Sequence, residues 1–261
     1  MGLFCKICNS VLFFHDKSLI LNTYTVIYYF CKNCGFVQTE EPYWLNESYS
    51  SAIASADTGI MLRTLKNAND LLFLLQFAPP VNSIFLDFGG GHGVLARIMR
   101  DYGFDFYHYD KYAENLFARG FEADLSKKYT AITAYENFEH FTTPLEEIEK
   151  LLKITDTIIF STSLISYPPP LVKDWWYYAP ATGQHISFYS QKTLQVIAEK
   201  YNLYLQSNNS DLHILSKLPF RKNIFYLLGL YNKAKNKLDI SRKLKRKSKC
   251  WDDMLKVLDM P

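Results

Sequence analysis

The stretch "FLDFGGGHGVLARIM", residues 85–99, runs an apolar strand pattern into four glycines within five positions and then into helical spacing. A strand ending in Asp87 that passes through Gly89, Gly91 and Gly93 into a helix lets the backbone run close beneath a ligand. The first N–H groups of that helix have no partner inside it, so the turn suits a nucleoside-bearing cofactor. Gly91-x-Gly93-x-x-Ala96 also satisfies the relaxed dinucleotide fingerprint, which keeps a nicotinamide dinucleotide site, and with it an NAD(P)-dependent oxidoreductase, open as an alternative. A turn serving packing alone needs fewer glycines.

Working outward, "SIFLDF" (83–88), "FDFYHY" (104–109), a short run at "GFEAD" (120–124), "YTAITAY" (129–135) and "DTIIFSTS" (156–163) read as strands. Helices are predicted over about 93–102, in "TPLEEIEKLLKI" with Thr143 as its cap, and in "QKTLQVIAEKYN". Strand alternating with helix means a parallel α/β sheet, doubly wound. The last two strands, joined through "SNNSD" (207–211), make a hairpin and therefore an antiparallel edge. Asp110 closes the second strand 17 residues after Gly93, where a carboxylate can accept both hydroxyls of a ribose.

Cys5-x-x-Cys8 and Cys31-x-x-Cys34, separated by 22 residues, have the spacing of a four-thiolate structural zinc site. His15, between the pairs, reads as a polar loop residue, since four cysteines already fill a tetrahedron. These readings divide the chain into a zinc ribbon (1–42), a helical lead-in (43–80) with Ile60, Leu65 and Leu72 at helical spacing, an α/β domain (81–218) and a basic helical tail (219–261).

The net charge of +3 conceals an asymmetry. Residues 216–261 hold 13 Lys or Arg against 4 Asp, densest at "SRKLKRKSK", a run able to meet phosphates or anionic headgroups. It lacks interleaved aromatics and any nucleic-acid module, so specific nucleic-acid binding is not expected. Peripheral membrane contact is the lipid counterpart, with Phe225, Leu227 and Leu228 as docking residues. Without a secretory start or an apolar run of spanning length, the chain is expected in the cytoplasm.

Together "FLDFGGGHG", "YHYDKY" and "TAYENFEHFTTPLEEIEKLLK" resemble class I S-adenosylmethionine-dependent methyltransferases. The resemblance implies a Rossmann-like methyltransferase sheet. It also implies a cofactor held by the Asp87-x-Gly89-x-Gly91-x-Gly93 turn, with Asp110 on the ribose, Asp124 near the adenine amino group and Glu136 at the methionyl end. A cysteine ribbon ahead of such a domain is similar to the sugar C-methyltransferase group, although the further C-terminal domain usual there is replaced here by the basic tail. It points to a small-molecule acceptor, a nucleotide-linked sugar or glycan precursor. His140 and His185 recur where such enzymes meet the acceptor and are the expected catalytic residues. The aromatic block Trp175–Tyr178, in the loop before His185, is the expected pocket wall. A zinc-ribbon binding protein that has lost activity remains the third reading.

Overall fold

The computed structural model describes residues 3–49, 57–76, 83–238, 251, 252 and 255. Strands β1 (Phe13–Ile20), β2 (Tyr24–Phe30) and β3 (Val37–Thr39) form an antiparallel sheet; helices α1 (Leu45–Ser48) and α2 (Ile60–Leu75) follow. A second sheet takes β4 (Ile84–Phe88), β5 (Asp105–Tyr109), β6 (Ala131–Tyr135) and β7 (Thr157–Ser161). Two residues, β8 (Ser187–Phe188), then return to pair antiparallel with β3 and complete the first sheet, before β9 (Tyr204–Ser207) and β10 (Leu212–Ser216) close the second. Its order is β5-β4-β6-β7-β10-β9, parallel from β5 to β7 and antiparallel on both sides of β10. This is the expected Rossmann-like α/β sheet, mostly parallel with an antiparallel edge.

Period-two alternation decides which helix goes where. Phe85, Ala131, Ile159 and Ile214 point to one face and pack with α2, α3 (Val94–Asp101) and α6 (Ile224–Leu238). Leu86, Ile132, Ile158, Phe160 and Leu215 point to the other, where α4 (Pro144–Leu152) and α5 (Gln191–Lys200) lie. Both faces are covered, which is why these strands read as nearly unbroken apolar runs.

Several expectations change. The "GFEAD" run makes no strand, only a single parallel bridge between His108 and Glu122, because the residues around it are spent on turns. Thr143 stands at the N-cap of α4 but its side chain makes no capping bond; Pro144 in the first turn starts that helix instead. On α2 the buried residues are Ala68, Leu71, Leu74 and Leu75, while Leu65 is exposed. The stripe is turned because buried Asp70 binds Lys66 (3.1 Å) and Asn232 of α6 (2.9 Å). His15 sits within β1, not in a loop, and its Nε2 bonds the Pro170 carbonyl and the Tyr178 hydroxyl. Leu228 is buried and Phe225 half-buried against the core that faces α2, so these two residues are engaged in packing, while Tyr226 and Leu230 of the same helix are exposed. "SRKLKRKSK" lies outside the described residues. No described helix is long and apolar enough to cross a membrane.

Candidate functional site

The glycine turn stands at the carboxyl end of β4. Gly89 and Gly91 have φ of +64° and +58°, a backbone region that side chains with a Cβ enter at a cost. A Cβ on Gly89 would lie 1.8 Å from Asn137 Oδ1, whereas one on Gly91 would meet nothing within 4 Å. The loop is thus packed from below at Gly89 and open above at Gly91. Two residues that the sequence reading passed over fasten it. His108 Nε2 bonds the Gly91 carbonyl (2.8 Å), and Asn137 Nδ2 donates to the carbonyls of Tyr135 (2.7 Å) and Phe88 (3.2 Å). His108 carried a signal: a polar residue at the inward phase of a buried strand.

Asp110 receives the Gly91 N–H on Oδ2 (2.9 Å) and the N–H groups of Tyr112 and Ala113 on Oδ1 (2.7 and 2.8 Å). These bonds hold the carboxylate at the rim of the turn and leave lone pairs for further donors. Asp87 lies beneath the loop, 2% exposed, taking the Thr133 hydroxyl on Oδ1 (2.9 Å). Burial pushes its carboxyl up to about 7, against the pull of that hydroxyl. Asp124 is engaged elsewhere: its exposed carboxylate caps the Ser126 N–H (3.0 Å) and hydroxyl (2.6 Å), and these bonds hold it below the usual carboxylate range.

Beyond β6 the chain bends sharply. Glu136 takes φ of +53°, its N–H donates to Ser161 Oγ (2.9 Å), and that hydroxyl donates back to Glu136 Oε1 (2.6 Å). Burial raises its carboxyl, with the Ser161 bond opposing. A single 3-10 turn, Phe138–His140, follows. Its Glu139 carbonyl accepts the Ile186 N–H (2.9 Å), and Ser187 Oγ donates to the Phe141 carbonyl (2.8 Å), which brings His185 beside His140 with ring centres 5.1 Å apart and nearly perpendicular. His185 Nδ1 donates to the Tyr177 carbonyl (2.6 Å), so its Nε2 carries a lone pair. His140 Nδ1 bonds the Tyr49 hydroxyl (2.8 Å), and Tyr49 stacks on Tyr112 at 4.5 Å, next but one to Asp110. Tyr49 and Tyr112, another pair missed in the sequence, therefore link the two expected histidines to the Asp110 rim.

Burial is the main influence on this cluster. It lowers His140 to about 3, helped by His185, and lowers His185 to about 4, opposed by the Tyr177 carbonyl. Glu139 is pushed up to about 8 by burial first and the Glu136 charge second. Of the aromatic block, Tyr177 and Tyr178 are buried and Trp176 is 68% exposed.

The four cysteine sulfurs lie within 4.8 Å of one another, with Cys5–Cys34 and Cys8–Cys31 each at 3.5 Å. Four thiolates around a zinc at ~2.3 Å stand ~3.8 Å apart, so the cluster fits that ion. The Cys34 thiol bonding to it draws Cys5 down to about 6, while burial pushes Cys31 up to about 11. Gathering four such groups is favoured when a cation neutralises them. The knuckle is fastened to the domain, because Ser190 and Thr193 at the start of α5 both donate to the Cys34 carbonyl (3.1 and 2.9 Å).

Among solved structures the chain is similar to TnmH, with 12% identity and a TM-score of 0.48 over 68% of this chain and 62% of that one. It is also similar to an O-methyltransferase family protein from Burkholderia thailandensis, with 14% identity and a TM-score of 0.47 over 67% of each chain. CalO1, a methyltransferase in calicheamicin biosynthesis in its S-adenosylhomocysteine-bound form, gives 12% and 0.40 over 58% of this chain and 54% of that one. The chain thus spans between about half and two thirds of the length of these proteins. No match is found among curated proteins. Residues 61–208, more than half of the chain, match the family model described as a methyltransferase domain, and the chain belongs to that family.

Proposed function

We propose that this chain transfers a methyl group from S-adenosylmethionine to a small-molecule acceptor, a sugar or glycan precursor. The observation that supports this best is Gly91, left-handed and open above, with its N–H tied to the acidic residue that ends the next strand. Bound S-adenosylmethionine supplies an electrophilic methyl on a sulfonium. Asp110 receives the ribose hydroxyls, Gly89, Gly91 and Gly93 let the nucleoside approach the backbone, Glu136 borders the methionyl end, and Asp87 supports the turn from beneath. Asp124 remains the candidate for the adenine amino group once its turn opens toward the crevice.

Methyl transfer is an in-line displacement, so the remaining tasks are to align the acceptor and deal with its proton. His185 and His140 carry these tasks, with the Nε2 lone pair of His185 available and His140 held by Tyr49. Exposed Trp176 offers a ring face to a sugar. Cys5, Cys8, Cys31 and Cys34 hold a structural zinc, which leaves no coordination position for catalysis.

Calorimetry with S-adenosylhomocysteine and with NAD tests the reading. Saturable binding of the first alone is expected. Binding of NAD alone would move the assignment to an oxidoreductase, and binding of neither to a protein that has kept the fold without the activity.

A further inference from the structure

We propose that Glu139, His140 and His185 form a second metal site, separate from the four cysteines, that takes a divalent first-row cation with open coordination positions facing the acceptor. One ligand atom from each of the three residues lies within 4.8 Å of the others. Ligands on such an ion stand ~3–3.5 Å apart, so side-chain adjustments of about an ångström close the site.

The decisive side chain is Glu139. The residue is 0% exposed, and among the described residues neither carboxylate oxygen makes a hydrogen bond of good geometry, although the Tyr177 and Thr162 hydroxyls stand near enough to pull its carboxyl down. A buried carboxyl without partners is costly in a folded chain, and such groups are paired or coordinate metals. Two imidazoles lie within reach of it, while Arg63, close enough to act on His185 and Glu136, is paired with Asp57. Two imidazoles and one carboxylate make a donor set suited to Zn2+, Mn2+ or Fe2+, whereas the thiolate cluster selects zinc.

The surroundings have the organisation that metal ligands need. His185 Nδ1 donates to the Tyr177 carbonyl, and His140 Nδ1 is paired with the Tyr49 hydroxyl. Such outer partners fix the ring orientation of ligating histidines. The Ile186 N–H bond to the Glu139 carbonyl ties the two ligand-bearing segments together at the backbone. The site also follows directly on Asn137, which clamps the glycine turn. A cation here would sit beside the crevice in which the methyl donor is proposed to lie.

The role of the ion rests on the methyltransferase reading, and its existence does not. An acceptor hydroxyl coordinated to the cation loses its proton to solvent more readily, because the metal stabilises the alkoxide. The oxygen lone pair then forms a bond to the methyl carbon, the carbon–sulfur bond breaks, and its electron pair stays on sulfur, giving a neutral thioether. In this form of the reaction the lone pairs of the two histidines hold the ion, and solvent rather than an imidazole takes the acceptor's proton.

The test is a metal count. The full chain is dialysed against Zn2+ and freed of loosely bound ion, and zinc per chain is measured by mass spectrometry for wild type, Glu139→Gln and His185→Gln. Two zinc ions in the wild type and one in either variant are expected, with S-adenosylhomocysteine binding retained as the check that each variant is folded. One zinc in the wild type, or two in a folded variant, overturns the proposal. Failure of the wild type to bind S-adenosylhomocysteine would remove the methyltransferase reading while the zinc count still decides the site.

Discussion

Alanine at Gly91 and at Gly89 separates a glycine whose Cβ side is open to a ligand from one whose Cβ side is packed by the fold. Both have positive φ, so alanine at either costs ~1–2 kcal/mol of left-handed backbone. At Gly91 nothing else is lost in the free protein, since the new methyl meets no atom within 4 Å. That methyl occupies the space assigned to the nucleoside, where overpacking costs about 1–3 kcal/mol, or roughly five- to a hundredfold in affinity. At Gly89 the methyl falls 1.8 Å from Asn137 Oδ1, and Asn137 is held by its carbonyl partners, so the fold bears the clash as well, roughly 2–5 kcal/mol in all. Urea unfolding reads the stability and titration calorimetry with S-adenosylhomocysteine reads the affinity. Gly91→Ala should be the milder change in the first assay and a severe one in the second. Wild-type affinity in Gly91→Ala would refute the placement of the cofactor, and equal destabilisation by the two would refute the packing argument.

Asn137→Ala strips partners from buried carbonyls and should cost about 1–3 kcal/mol in urea, yet in the double variant with Gly89→Ala the costs should fall short of their sum because the clash is gone. Asp87 titrates about 3 pH units higher in the folded chain than its ordinary value of 3.8, so the folded state binds its proton more tightly. The resulting stability is fully present below about pH 4 and is lost as pH rises through about 7. Asp87→Asn, which cannot ionise, should therefore gain on wild type between pH 5 and 8 in thermal melts, by roughly 4 kcal/mol at most; a gap independent of pH would contradict this. Chelation of the zinc proposed at the cysteine cluster should lower the melting temperature and expose amides of both β3 and β8 to hydrogen exchange, because those strands pair. Loss of protection confined to residues before Phe36 would show the knuckle to be independent of the domain.

Much of this was legible because it depends on local chemistry. Glycines at 89, 91 and 93 announce their turn, an apolar run ending in Asp110 announces the next strand, and two Cys-x-x-Cys pairs announce a cluster whatever surrounds them. The illegible parts depend on partners far along the chain. Nothing near residue 65 reveals that Asn232 will hold Asp70 and turn α2, or that a two-residue strand at 187 will complete a sheet begun at 13. Tyr49 and His140 are 91 residues apart, and neither has a sequence neighbour that predicts the bond. Glu139 was visible only as an acid beside a histidine; its distinction is full burial without a well-formed hydrogen bond to either oxygen, and burial is a property of the assembled core.

The glycine turn and the His140–His185 cluster lean on different parts of the chain. The turn, Asp110, His108 and Asn137 all lie within residues 61–208, the stretch that matches the family model. The His140–His185 side depends heavily on residues before that stretch. Trp44 Nε1 donates to the Gly183 carbonyl (2.8 Å), Gln184 Nε2 donates to the Ser48 carbonyl (2.8 Å), Tyr49 holds His140, and β3 pairs with β8 just after His185. A fold that binds one donor in one way can accept different acceptors only if the wall facing the acceptor is free to vary independently of the turn. Here the His140–His185 side, proposed to face the acceptor, is braced by the segment that follows the cysteine cluster, so the N-terminal sheet has a physical reason to be on the same chain. Through β3 and the Trp44 and Ser48 bonds it fixes the position of His185, which sits in an otherwise long connection.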